Sequence, residues 1–155
     1  MKRICVLMAG LLVAAACAAA IAGARPASPA ARASRAASVQ LRHTSLGEIL
    51  VSSSGQTLYE FTRDHSDHDS CASVKGCSQV WPALRESGKP TTGPGLRASL
   101  LSTIAVAGGV RQLTYAGHPL YTYSGAYGAG ETSYVGAKQF GGSWYALSAS
   151  GAAVR

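Results

Sequence analysis

The residues best suited to chemistry in this chain sit in one short stretch, residues 64–77. Asp64-His65-Ser66-Asp67-His68-Asp69 places five metal-ligand side chains in six positions. Imidazole with carboxylate suits a divalent transition metal such as zinc, copper(II) or nickel. The ligand set would be His65 and His68 with Asp67 or Asp69. A metal site needs its ligands to converge on one point with supporting hydrogen bonds, and consecutive loop residues rarely converge unaided. The other reading is an exposed polar loop in which Asp64 caps backbone amides at a strand end. Both stay open on the sequence. No cofactor is required by any other pattern.

Cys71 and Cys77 follow directly and enclose five residues. In an exported domain this spacing favours a disulfide. Reactive thiol pairs use the tighter Cys-x-x-Cys spacing. Closing so short a loop stabilises by about 2 kcal/mol in the chain-entropy model.

Enzyme chemistry finds little footing. The chain has no Gly-x-Ser-x-Gly, His-Glu-x-x-His, P-loop or dinucleotide fingerprint. Glu48, Glu60, Glu86 and Glu131 are scattered, and His43 and His118 occur singly, with His118 expected to be exposed in a Gly-His-Pro turn. The expectation is a protein that is not an enzyme. A hydrolase without a motif is the third-ranked reading.

The elements that position these residues come in two copies. Leu58-Tyr59-Glu60-Phe61, three residues after Gly55, recurs as Leu120-Tyr121-Thr122-Tyr123, three residues after Gly117. Trp81-Pro82-Ala83-Leu84 recurs as Trp144-Tyr145-Ala146-Leu147. The offset is 62 residues at the first anchor and 63 at the second, which reads as one structural unit used twice. Tyr59, Phe61, Trp81, Tyr121, Tyr123 and Trp144 are therefore expected to be mostly buried and to pair between copies.

After residue 39 the apolar pattern is short and strand-like, with no long helical stripe. Residues 49–51 lead through Ser53-Ser54-Gly55-Gln56 into a strand at 57–62, a hairpin with Tyr59 and Phe61 on its core face. Residues 101–106 and 110–115 flank a second hairpin turn, and 143–148 closes the repeat. Pro82 after Trp81 predicts an irregular corner. A glycine-rich loop at 125–142 is expected to be pinned to the core by Tyr127, Tyr134 and Phe140, although its length also marks it for function. The fold expected is mainly β: a small antiparallel domain at 39–150 built from two hairpin-containing units, preceded by a helical signal segment. Repeat 1 spans about 46–84, a connector 85–97, and repeat 2 about 98–150.

Residues 1–24 read as a signal peptide. Lys2 and Arg3 precede an apolar and small-residue run, and small-residue cleavage sites fall after Ala22 or Ala24. Cys17 follows Val13-Ala14-Ala15-Ala16, which is similar to a bacterial lipobox but has alanine where leucine is usual. A lipid anchor on Cys17 and a plain small residue in a signal both remain open. Residues 25–38 contain no large apolar side chain and read as a disordered Ala/Pro/Arg tether.

Charge follows this division. Removing residues 1–24 leaves 12 basic and 7 acidic residues, but from His43 onward the count is 8 against 7. The basic excess belongs to the leader and tether, not to a binding face, which argues against nucleic acid. A membrane tether through the N-terminus is the one lipid contact expected.

The segment Tyr59-Glu60-Phe61-Thr62-Arg63-Asp64 resembles the bacterial secreted-repeat lipoproteins marked by a Tyr-x-aromatic-x-x-Asp motif, a family of unknown function. The resemblance runs on through Cys71, Cys77 and Trp81-Pro82-Ala83-Leu84, and then through residues 113–121. In the second copy Ala126 stands where the acid should be. The resemblance implies an exported envelope protein, placed on the outer membrane face, in the wall or outside the cell, and supplies no reaction. The expectation is a non-catalytic binding or interaction module whose partner is an envelope component or small ligand. The alternative is an envelope metal-binding or redox-accessory protein working through the 65–69 loop.

Overall fold

In the computed structural model, residues 38–106 and 109–155 are described. The expected signal peptide, Cys17 and all but the last residue of the 25–38 tether lie outside them. Among the described residues the domain is mainly β, with ten short strands, one short α-helix and two turns of 3-10 helix.

The first hairpin joins β1 (Val39–Thr44) to β2 (Gly47–Ser52). Repeat 1 therefore starts at Val39, earlier than its apolar pattern alone indicated, because β1 mixes Leu41 with Arg42 and His43. The equivalent hairpin in repeat 2 joins β5 (Leu101–Ala105) to β6 (Arg111–Tyr115). The registers correspond: Val39 faces Ser52 as Leu101 faces Tyr115, and Leu41 faces Leu50 as Thr103 faces Leu113. Each hairpin leads into a turn whose glycine, Gly55 or Gly117, has a positive φ of 85° or 81°. An L side chain there is strained, so glycine recurs at the point where the chain reverses.

The expected pairing of 57–62 with 49–51 is only marginal. Residues Val51 and Thr57 form a single bridge, and β3 (Tyr59–Phe61) finds its ladder partner in the other repeat, β9 (Gly142–Leu147). The reciprocal exchange also occurs. Tyr121 bridges Ala83, Leu84 N–H donates to Leu120 O, and Ser124 N–H donates to Val80 O. At the centre Tyr59 and Tyr121 exchange both backbone hydrogen bonds, at 2.9 and 3.0 Å. The two copies are thus interlocked about a local dyad, each donating a motif strand to the other.

This placement buries both faces of β3, not the aromatic one alone. Glu60 is buried on the second face, and Leu58, just before the strand, enters a largely aliphatic core with Val39, Leu50, Leu113, Leu120, Leu147 and one ring, Tyr115. Tyr59 and Phe61 enter a separate aromatic core with Trp81, Tyr121, Trp144 and the two cysteines. Smaller elements complete the fold. These are α1 (Cys77–Val80), β4 (Arg85–Glu86), β7 (His118–Pro119), β8 (Ala137–Gln139) and β10 (Ala153–Val154). The corner expected at Pro82 directly follows α1.

Candidate functional site

The aromatic core obeys the dyad ring by ring. Trp81 and Trp144 stack face to face, 4.1 Å apart with their planes 3° from parallel. Tyr59 meets Trp81 edge-on at 5.1 Å, and Tyr121 meets Trp144 edge-on at 5.2 Å. Phe61 stacks on Trp144 at 4.2 Å with planes 10° apart, and its counterpart Tyr123 meets Trp81 at 4.8 Å but tilted by 51°. Five of the six expected anchors are buried, and Tyr123 is partly so. Each aromatic pair adds roughly 0.5–1.5 kcal/mol beyond the area it buries.

Asymmetry enters through polar atoms. Trp81 Nε1 donates to Gln139 Oε1 at 2.7 Å, whereas Trp144 Nε1 is buried without a partner. The Tyr121 hydroxyl lies 2.8 Å from both Asp64 Oδ2 and Asp69 Oδ1, while the Tyr59 hydroxyl donates to the Glu131 carbonyl at 3.2 Å. The motif acid therefore serves the tyrosine of the other copy. Asp64 also accepts from the Ser70 amide at 2.8 Å, the strand-end capping role expected of it. Burial pushes the Asp64 carboxyl up to about 6, against the lowering effect of its hydrogen bonds. Burial and the two carboxylates push the Tyr121 phenol far above the ordinary tyrosine range.

The 64–69 run divides by direction. Asp64 and Asp69 turn inward onto Tyr121, and Asp69 also accepts from the Ala72 amide. His65 and His68 form a one-rung bridge with their exposed rings 6.5 Å apart, and Asp67 occupies the turn at φ 56°. Among the described residues no three histidine, cysteine or acidic side chains gather around a common point. A metal in this loop would draw on the two imidazoles and Asp67, since Asp69 is engaged by Tyr121 and the Ala72 amide.

His118 departs from the expectation of simple exposure. Its Nδ1 lies 2.7 Å from Glu60 Oε2, and this partner raises the imidazole pKa above its ordinary value. Nothing local in a Gly-His-Pro turn announces an acid on a distant strand. The signal available was Glu60 itself, a charge in a strand flanked by aromatics.

Cys71 and Cys77 are disulfide-bonded, with Cα atoms 5.4 Å apart, and both are buried beneath the Trp81 corner. Against this loop rests the segment unique to the second copy. Phe140 Cε1 lies 3.8 Å from the position a Cβ on Gly76 would occupy, and Arg63 Nη1 donates to Phe140 O at 2.8 Å. Tyr134 stacks on Tyr123 at 3.7 Å. Tyr134 and Phe140 thus pin the glycine-rich loop as expected, but Tyr127 does not. Its ring is 93% exposed, because the loop is held there through backbone: Glu131 accepts from the Tyr127 amide, and Gly130 N–H donates to Gly55 O.

Phe140 and Gly141 form the two-residue turn between β8 and β9, with φ of 57° and 80°. Two positive φ values mark the hairpin turn that favours Asn-Gly. A phenylalanine in the left-handed region costs roughly 1–2 kcal/mol. Its ring, with Lys138, Gln139 and Ser143, lines a shallow surface hollow.

Residues 41–85, which are most of the first repeat, match the family model of a secreted repeat of unknown function. The family is a secreted one, which supports export of this chain. No curated protein and no solved structure matches the chain.

Proposed function

We propose that this domain is a non-catalytic binding module of the cell envelope, and that it binds through the surface where the disulfide loop meets the Phe140 hairpin. The observation that carries the reading is Phe140. A bulky aromatic occupies a turn position where Asn or Gly is unstrained, and such strain persists where the surroundings or a function demand it. Two further features support it. The repeated parts of both copies are consumed in making the two cores, and the parts that differ adjoin one another over the tryptophan pair. The match to a secreted repeat is consistent with a partner outside the membrane, either an envelope component or a small ligand.

Phe140→Asn tests this directly, because asparagine suits the left-handed turn. The variant relieves the turn but gives up the ring's packing on the aromatic core, so it should melt lower while still unfolding cooperatively, and it should lose retention on isolated cell envelopes. Undiminished retention of a folded Phe140→Asn protein would remove this surface from the proposal. The divalent-metal alternative rests on the His65–His68 pair. Calorimetric titration with zinc, copper(II) and nickel separates it, since tight heat lost in His65→Ala/His68→Ala would favour metal over the hairpin surface.

A further inference from the structure

The aliphatic core shows that burial alone did not require an aromatic one. Leucine and valine with a single ring, Tyr115, close one side of the molecule, yet the other side is a run of rings in contact. It runs from Tyr134 to Tyr123 at 3.7 Å, to Trp81 at 4.8 Å, to Trp144 at 4.1 Å and to Tyr121 at 5.2 Å. Each of these side chains is an indole or phenol, the side chains that most readily lose one electron. Tyr134 lies partly exposed at one end, and Tyr121 is buried at the other.

The two ends differ in chemistry as well as burial. A phenol that loses an electron becomes a strong acid, so its oxidation is favoured where a base waits on the hydroxyl. Of the tyrosine hydroxyls with described partners, Tyr59 and Tyr115 meet backbone carbonyls, and Tyr121 meets carboxylates, Asp64 and Asp69, each at 2.8 Å. One phenolic proton thus faces two acceptors.

We propose that the ring line is a one-electron relay with Tyr121 as its terminal site. The co-reactant is a high-potential one-electron oxidant, such as an organic radical, arriving at Tyr134. One electron passes outward along the rings and reduces the oxidant. The Tyr121 O–H bond breaks, its proton goes to the carboxylate oxygen of Asp64 or Asp69, and a neutral tyrosyl radical remains. A one-electron reductant, such as a quinol or thiolate, reverses the step. The relay stands apart from the binding surface, since it needs only the rings and the two acids.

The test is flash generation of tris(bipyridine)ruthenium(III) with the full exported chain, read by transient absorption and electron paramagnetic resonance. Tyr127→Phe is the background, because that exposed ring would otherwise react first. A slowly decaying tyrosyl signal resistant to bulky surface scavengers should form. It should be lost in Tyr121→Phe, which keeps the ring in place, and also in Trp144→Phe, which interrupts the line. Should Trp144→Phe fail to fold, Trp81→Phe breaks the same line. Absence of the protected signal in the background protein would overturn the relay, as would its survival in Tyr121→Phe. Unchanged formation in a folded tryptophan variant would do the same.

Discussion

The two repeats agree in the backbone frame they share and disagree in the polar atoms and coverings attached to it. Hairpin register, turn glycine, motif strand and tryptophan anchor coincide across the dyad, while the segments between motif and anchor share nothing. Copy one fills that interval with an acidic loop, a disulfide and a short helix. Copy two fills it with glycine-rich chain and a β-hairpin. The difference teaches that the core tolerates any covering, provided the covering holds the tryptophan in place. Asp64 and Ala126 make the point at one position, since the acid reaches Tyr121 across the dyad and its absence sends Tyr59 to a carbonyl instead.

The strongest way to break this equivalence is to remove its centre. Trp81→Ala and Trp144→Ala should each cost about 3–5 kcal/mol, as large-to-small changes in a packed core do. Thermal or urea unfolding would show both as destabilised to a similar degree. A folded variant of unchanged melting temperature would end the idea of paired anchors.

The disulfide sharpens the contrast because only one copy has it. Cys71→Ala/Cys77→Ala should lower stability by about 2 kcal/mol and leave the second copy's hairpins protected in hydrogen exchange. Mass spectrometry of freshly isolated protein should find the two cysteines oxidised.

A smaller effect follows from the indole nitrogens. Gln139→Leu leaves Trp81 Nε1 buried and unpartnered, as Trp144 Nε1 already is. The expected cost is about 1–2 kcal/mol. A neutral result would mean that the two tryptophans are equivalent even in their polar atoms.

The smallest expected effect is in pH. The folded-state pKa of Asp64, about 6, lies above the ordinary aspartate value of 3.8. Protonation therefore favours the fold, and this contribution is lost as pH rises from about 4 through 6. Discounted for partial exposure, it amounts to about 1 kcal/mol. The raised His118 pKa acts in the same direction at higher pH, above its ordinary 6.5. Melting temperature should thus decline from mildly acidic to alkaline pH. Asp64→Asn should flatten the lower limb and Glu60→Gln the upper. A rise in melting temperature across this range would refute the assignment.

Much of this was legible in the sequence. The recurrence at 62 and 63 residues gave the repeat, period-2 alternation marked Tyr59 and Phe61 as core, and the spacing of Cys71 and Cys77 in an exported chain gave the bridge. The strand exchange was not legible. The two motif strands are so alike that no local pattern says which anchor each will choose. Partner choice is a long-range property of connector lengths, and the same holds for Glu60 and His118. Tyr127 misled because an aromatic ring in a loop reads as a pin, whereas this loop is fastened through its amides, one to the Glu131 carboxylate and one to the Gly55 carbonyl, which composition does not reveal.

The strand exchange has a consequence for synthesis. β3 has its ladder partner near the carboxyl end of the chain, so the amino-terminal half holds half of each core and cannot close either. With this connectivity neither core has all its strands until the segment carrying Trp144 is present. The same interlock that joins the finished domain thus makes its folding depend on contacts between residues more than 80 positions apart, Phe61 with Trp144 among them.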